Sequence, residues 1–310
     1  MALKHFILAS VAAFAAVYSA SAQNNEALTF ISIDRSPRVA AMAGAGSAST
    51  SSIAYSAFTN SAVLPFYGGS MEAGVAYQMW APKGVKSSNI NFGTGLKISD
   101  RFGLSVGGVY QKGEPYMTYH ADGSAGKEFT PNDMLVNLGL GFLLVDNLSA
   151  GVNVRYASST LDANTKLSTV CGDVFFLYKV LPELNVTAGV SSLGMPVKAS
   201  DGTKFPIPAS ASLGASYKAA LAPDHSVEAV LDADYFFSGH YTAALGAEYA
   251  FKDMVFVRAG YHYGNAGAAL PSFLSFGAGV KFAGFSLDLA YLTLNDVIGN
   301  TLSIGLGYAF

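Results

Sequence analysis

From residue 70 onward, apolar residues alternate with small or polar ones at a period of two, in segment after segment. Met71, Ala73, Val75, Tyr77 and Met79 alternate with Glu72, Gly74, Ala76 and Gln78. Phe102, Leu104 and Val106 alternate with Gly103, Ser105 and Gly107; Met134, Val136, Leu138, Leu140 and Phe142 alternate with Asn137, Gly139 and Gly141. Such a period marks strands whose two faces meet different surroundings. Fourteen can be placed, the later ones at 169–180, 184–191, 208–218, 227–236, 241–251, 254–262, 273–282, 285–292 and 300–310. The connections alternate too. Ser99-Asp100-Arg101, Val145-Asp146-Asn147, Leu181-Pro182-Glu183, Lys252-Asp253 and Ala283-Gly284 are tight turns after even-numbered strands, and 219–226 is longer but in phase. Long connections, at 113–129, 158–168, 192–207, 263–272 and 293–299, follow odd-numbered strands. Short turns at one rim and long loops at the other describe a transmembrane barrel. The expectation is an all-β fold, an antiparallel transmembrane β-barrel of about 14 strands over residues 70–310, with the long loops outside.

Composition fits a lipid-facing barrel. Charged residues are only 13%, about half the usual share, and Gly numbers 33. After the N-terminus no apolar run reaches the ~20 residues of a membrane helix. The lone cysteine, Cys171, excludes an internal disulfide and reads as a buried thiol on the face of Asp173. No Lys/Arg cluster suggests a nucleic-acid partner. Residues 1–22 read as a signal peptide: Lys4, an apolar run from Phe6 to Val17, and Ala20-Ser21-Ala22 as the cleavage site. The mature chain is then expected to start at Gln23 and to reach the outer membrane of a Gram-negative bacterium.

Charges within strands fall mostly on the polar phase. They are Glu72, Lys97, Arg155, Asp173, Glu228, Asp232, Asp234, Glu248, Arg258, His262, Lys281 and Asp288. A Lys or Arg turned toward lipid at mid-membrane costs roughly 2–4 kcal/mol, so these side chains are expected to line the lumen. They can form a polar conduit, or anchor a plug through Arg35 and Arg38. The histidines show no repeated spacing, and no His/Cys/Asp cluster has metal-ligand spacing. Gly44 and Gly46 lack the βαβ context of a dinucleotide fingerprint. No enzyme activity and no cofactor are expected.

Residues 23–69 lack clean alternation. They carry Phe30, Ile31, Ile33, Val39, Met42, Ile53, Tyr55 and Phe58, which need burial. Phe30, Arg38, Met42-Ala43-Gly44-Ala45-Gly46 and Ala48, followed by Asn60, Ala62 and Leu64, form a pattern that resembles the start of the PorV/PorQ family. These are FadL-like outer-membrane barrels of the Bacteroidota. Ser61 stands where that family usually has Pro. The resemblance implies a luminal plug over 23–69, with Arg38, Met42, Gly44, Gly46, Asn60 and Leu64 as its motif. The last strand, ending Tyr308-Ala309-Phe310, resembles the closing strand of outer-membrane barrels. There Tyr308 and Phe310 would serve as the assembly signal.

The PorV/PorQ resemblance implies a non-enzymatic subunit or adaptor of a secretion complex, type IX-like, or of an outer-membrane assembly complex. Its partners would be outer-membrane lipid and other proteins of that complex. The alternative is a FadL-like channel for hydrophobic or small solutes, with a hydrophobic ligand. A channel needs an apolar pocket, and the loops offer only Leu193, Met195, Phe205, Leu270 and Phe273. On that ground the adaptor is the leading expectation.

Overall fold

The computed structural model describes residues 26–80, 87–120, 122–162, 165–199, 202–265, 268–293 and 299–310. The signal-peptide reading of 1–22 lies outside them. The strands are β1 (Met71–Trp80), β2 (Ser87–Ser99), β3 (Phe102–Lys112), β4 (Tyr116–Tyr119), β5 (Ala125–Phe129), β6 (Asn132–Val145), β7 (Leu148–Thr160), β8 (Lys166–Lys179), β9 (Leu184–Gly194), β10 (Val197–Lys198), β11 (Lys204–Phe205), β12 (Ser210–Ala222), β13 (His225–Phe236), β14 (Tyr241–Phe251), β15 (Val255–Gly264), β16 (Phe273–Phe282), β17 (Phe285–Thr293) and β18 (Thr301–Ala309). Fourteen of them close an antiparallel barrel, every strand beside its barrel neighbours in sequence and β1 paired with β18. At the seam Glu72 lies opposite Ala309, and the Phe310 amide donates to the Met71 carbonyl at 2.9 Å.

The barrel is apolar outside and polar inside, as the period of two requires. Leu138 lies in register between Val106 and Val154, whereas Asn137 lies between Gly107 and Arg155. Val75, Phe92, Leu138, Leu213, Leu245 and Leu306 are exposed, while Gln78, Asn91, Asn137, Asn153, Glu248 and Ser303 are buried. An apolar belt of this extent on a water-soluble protein would be an aggregation site; around a closed barrel it is the lipid-facing surface. Tyr110, Tyr156, Tyr217, Tyr235 and Tyr249 stand exposed on it, as interfacial aromatics do.

Several expected boundaries are corrected. The connection placed at 158–168 shrinks to 161–165, because β7 and β8 pair out to Thr160 and Lys166. The connection at 219–226 becomes a two-residue turn, because β12 runs to Ala222 and β13 starts at His225, with a bulge near Ala220. Two long loops also carry hairpins outside the barrel, β4 with β5 and β10 with β11. Gly123 (φ 83) and Gly202 (φ 88) supply their turns. Pro196 and Pro206, in the long connection at 192–207, flank β10 and β11 without interrupting them. At the opposite rim Lys252 (φ 55) and Asp253 (φ 50) both hold positive φ, as the commonest two-residue hairpin turn demands.

Residues 26–69 fill the lumen. The Ala27 amide donates to the Pro206 carbonyl at 2.8 Å, near the long-loop rim. At the other end the Lys97 amide donates to the Ser70 carbonyl at 2.7 Å, near the short-turn rim. The segment holds four short helical turns: Thr29–Ser32, Pro37–Ala41, Ser56–Phe58 and Ser61–Phe66. Each is too short to persist alone. Ser36 caps Pro37–Ala41, with Pro37 at its first position, and Asn60 caps Ser61–Phe66 through the Ala62 amide at 2.9 Å. The barrel wall does the rest. A β-carbon at Gly246 or Gly260 would overlap Met42, one at Gly95 would overlap Ile53, and one at Gly103 would overlap Leu64. Inward glycines are thus the places where plug backbone lies directly on strand backbone. Met42, Ile53 and Leu64 are fully buried there.

Candidate functional site

The structure brings most of the singled-out charges into two luminal layers. In the lower layer, toward the short turns, Arg38 bridges β13 and β14. Its Nη2 donates to Glu228 Oε2 at 2.9 Å and to Glu248 Oε1 at 3.0 Å, and its Nε donates to Glu248 Oε2 at 2.8 Å. Arg258 Nε donates to the same Glu248 oxygen at 2.5 Å, and its Nη1 donates to Asp288 at 2.5 Å. Ser51 and Ser216 hydroxyls complete the Glu228 carboxylate, each at 2.7 Å. Glu72 accepts the Ile53 amide at 2.7 Å, and Lys97 Nζ donates to the Tyr67 carbonyl at 3.2 Å. Lys281 faces the same space, a cavity of about 300 Å³ also lined by Arg38, Glu72, Arg258 and Asp288.

The opposite wall has its own pair. Arg155 Nε donates to Asp173 Oδ2 at 2.8 Å, and Arg155 Nη2 donates to the Phe58 carbonyl at 3.0 Å. Asp173 also accepts the Ser192 amide at 2.8 Å, at a bulge where Ser192 takes φ 55. Asn60 Nδ2 reaches Thr187 Oγ1 at 3.0 Å and the Ser47 carbonyl at 2.9 Å. Ser61, in the place where Pro was anticipated, donates to Asn153 Oδ1 at 2.5 Å. A proline there could not make that bond.

The upper layer, toward the long loops, is built differently. Asp232 accepts the Gly46 amide at 2.7 Å, the Ser47 amide at 2.9 Å and the Ser47 hydroxyl at 2.6 Å. Asp234 accepts a short bond from the Ser212 hydroxyl. Asp34 of the plug lies over Gly44, whose φ of 92 and lack of a side chain leave room for the carboxyl. Burial, then the neighbouring Asp234, raise the Asp34 pKa to about 6 against the opposing pull of Arg35. These groups face a cavity of about 380 Å³. Its apolar wall comes from Leu28, Phe30, Ile33, Phe236 and Leu270, and its polar wall also includes Gln111, Asp133 and His262. The plug waist, Pro37 to Gly46, separates upper from lower cavity. A smaller space of about 140 Å³ adjoins the upper one and is lined by Arg35, Arg155 and Ser192.

Apolar residues also enter this end of the lumen. Val109, Leu135 and Cys171 break the polar phase, and they pack with Phe30 and Ile31 of the plug beside Val197 and Ile207 of the loops. The five loop residues considered for an apolar pocket contribute little: of them only Leu270 lines the upper cavity, and Met195 is 80% exposed. Sequence reasoning missed the plug's own contribution, and with it Asp34, Asp133 and Gln111. The signal was present for Asp133, which shares its inward phase with Asn137 and Gly139. His240, at the rim, is buried and stacked on Phe236 at 4.3 Å, with Nε2 4.0 Å from Glu26.

No protein-family model and no curated relative matches the sequence. Solved structures do match. The Ralstonia pickettii toluene transporter TbuX superposes with a TM-score of 0.65 at 13% identity, over 91% of this chain and 100% of that one. The Pseudomonas putida toluene transporter TodX gives 0.60 at 14% identity, over 88% and 97%. A Pseudomonas aeruginosa FadL homologue gives 0.57 at 15% identity, over 87% and 97%. Identity this low carries the fold alone, and PorV/PorQ membership is finer than such a likeness reaches. Fourteen antiparallel strands closed around an N-terminal plug give this chain the fold of the FadL-type outer-membrane barrels.

Proposed function

We propose that the protein is an outer-membrane channel for small hydrophobic compounds. The observation that carries this reading is the upper cavity, part apolar, set between plug and long loops and above a plug waist that interrupts the lumen. Its volume of about 380 Å³ lies within the roughly 300–1,000 Å³ of small-ligand sites. The toluene-transporter fold supports the same reading. The ground for preferring an adaptor, that the loops alone cannot make an apolar pocket, falls away because Leu28, Phe30 and Ile33 of the plug supply one.

In this reading Arg38, Met42, Gly44, Gly46, Asn60 and Leu64 seat the plug, and the luminal charges hold it. Tyr308 and Phe310 serve barrel assembly, and residues 1–22 direct export. The test is toluene flux into proteoliposomes. The barrel should raise flux over empty vesicles, and Phe30→Trp or Leu270→Trp, which fill the cavity, should lower it severalfold. Flux equal to that of empty vesicles would overturn the channel. The adaptor reading stands on the plug motif, and it would displace the channel if mild-detergent extraction recovered this barrel stably bound to a translocon.

A further inference from the structure

We infer that the upper cavity selects apolar molecules carrying a protonated amine over carboxylates of the same size. The inference rests on the channel reading and names the substrate class. Four carboxyl side chains line the cavity, those of Asp34, Asp133, Asp232 and Asp234, and no described Lys or Arg lines it. The donors that Asp232 and Asp234 receive are amides and hydroxyls. These hydrogen-bond the carboxylates without cancelling their charge. Two cations line the adjoining space, which shares Asp34, Asp232 and Asp234: Arg35 donates Nη2 to the Phe30 carbonyl at 2.5 Å, and Arg155 donates Nε to Asp173 at 2.8 Å.

Two buried polar atoms on the cavity wall stand without a partner, and both accept hydrogen bonds. Gln111 is 8% exposed and its Oε1 has no partner. His262 Nδ1 lies 3.2 Å from the Ala43 carbonyl, which can only accept, so Nδ1 carries the proton. In the neutral ring Nε2 is then an acceptor, and it too has no partner. An ammonium brings three donors and one positive charge to such a wall. A carboxylate brings neither, and meets like charge. Phe30 and Phe236 offer the apolar body of the ligand its contact, and their ring faces favour a nearby cation. Burial first, and Asp234 second, raise the Asp34 pKa although Arg35 pulls the other way.

The test compares 2-phenylethylamine, ethylbenzene and phenylacetate, which share a ring and differ in charge. Binding to the purified full-length barrel in a non-ionic detergent is measured by calorimetry at roughly pH 8, where Asp34 is ionised. The amine should bind at least about tenfold tighter than phenylacetate. In Asp34→Asn/Asp234→Asn the ratio of amine to ethylbenzene affinity should fall about fivefold or more. Gln111→Leu, which removes no charge, gives a second measure and should lower the same ratio less. Heat-modifiable gel mobility selects folded preparations of each variant. Equal binding of amine and phenylacetate would overturn the inference, as would an amine preference that survives the double substitution. Toluene flux without amine selectivity overturns the inference and leaves the channel standing. Selective amine binding without flux does the reverse.

Discussion

Carboxylates in the lower lumen meet guanidinium groups, whereas those in the upper lumen meet hydroxyls and backbone amides. Glu228, Glu248 and Asp288 are tied together by Arg38 and Arg258. Asp232 and Asp234 hold Ser47, Gly46 and Ser212. The same side chain therefore does two jobs on one inner wall. Below, acid and base are matched, all but saturated by one another, and joined across the strand wall to the plug. That arrangement is mechanical: removing a partner strands a buried charge. Above, Asp232 and Asp234 take hydroxyls and backbone amides as partners, beside apolar groups and an open cavity. That arrangement is suited to a visitor. In the proposed channel the plug waist lies between them, and a ligand resting above does not have to break the network below.

Three experiments press on this contrast. The largest effect is expected from Arg38→Met, which leaves Glu228 without its cation and Glu248 with Arg258 alone. Breaking a buried pair costs about 3–5 kcal/mol. Hydrogen exchange over residues 36–52 should accelerate strongly, and unchanged protection would show that the lower network is not the anchor. Asp232→Asn is expected to be milder. The amide keeps one acceptor for the Ser47 and Gly46 N–H groups but loses the charge assistance, a loss of about 1–3 kcal/mol. Exchange should rise locally at Gly46 and Ser47 and leave residues near Arg38 protected. An effect as large as that of Arg38→Met would dissolve the distinction between the layers.

The smallest effect concerns pH. Asp34 has its pKa raised from 3.8 to about 6, by burial first and Asp234 second. A raised acid favours the folded state when protonated. Its stabilising contribution is complete below about pH 4 and is lost as pH climbs through about 6. Plug protection around residues 28–36 should therefore weaken over that window in the wild type, and Asp34→Asn should flatten the profile. A flat profile in the wild type would mean that Asp34 ionises freely and that the upper wall is well solvated.

The barrel was legible in the sequence because its physics is periodic. A strand between lipid and a polar lumen must alternate, and turn length must alternate with it, so strand number, faces and closure follow from Met71 to Phe310. Boundaries were less legible where alternation weakens. Ala219, Ala220 and Ala222 carry no polarity contrast, yet they pair across β12 and β13. The lower site was readable as charges on the inward phase, although their partners were not, since Arg38 and Glu248 are 210 residues apart. The upper cavity was the least legible. It takes its apolar wall from Leu28, Phe30 and Ile33, in a segment with no periodicity, and its acids from the plug, β6 and β13. Only the path of the plug through the lumen brings those pieces together.

The glycines on which the plug rests have a consequence for how strands find their neighbours. A slip of one residue in β14 would turn Glu248 toward lipid, and the hydrophobic pattern alone forbids it. A slip of two keeps every apolar side chain outward, so the pattern cannot reject it. The plug can. Moving Gly246 by two positions would bring Glu248 or Ala244 against Met42, where even a β-carbon does not fit. The same holds for Gly260 against Met42, and at Gly95 for the slip that would bring Lys97 against Ile53. The N-terminal segment thus acts as a gauge for alignment errors to which the membrane itself is blind.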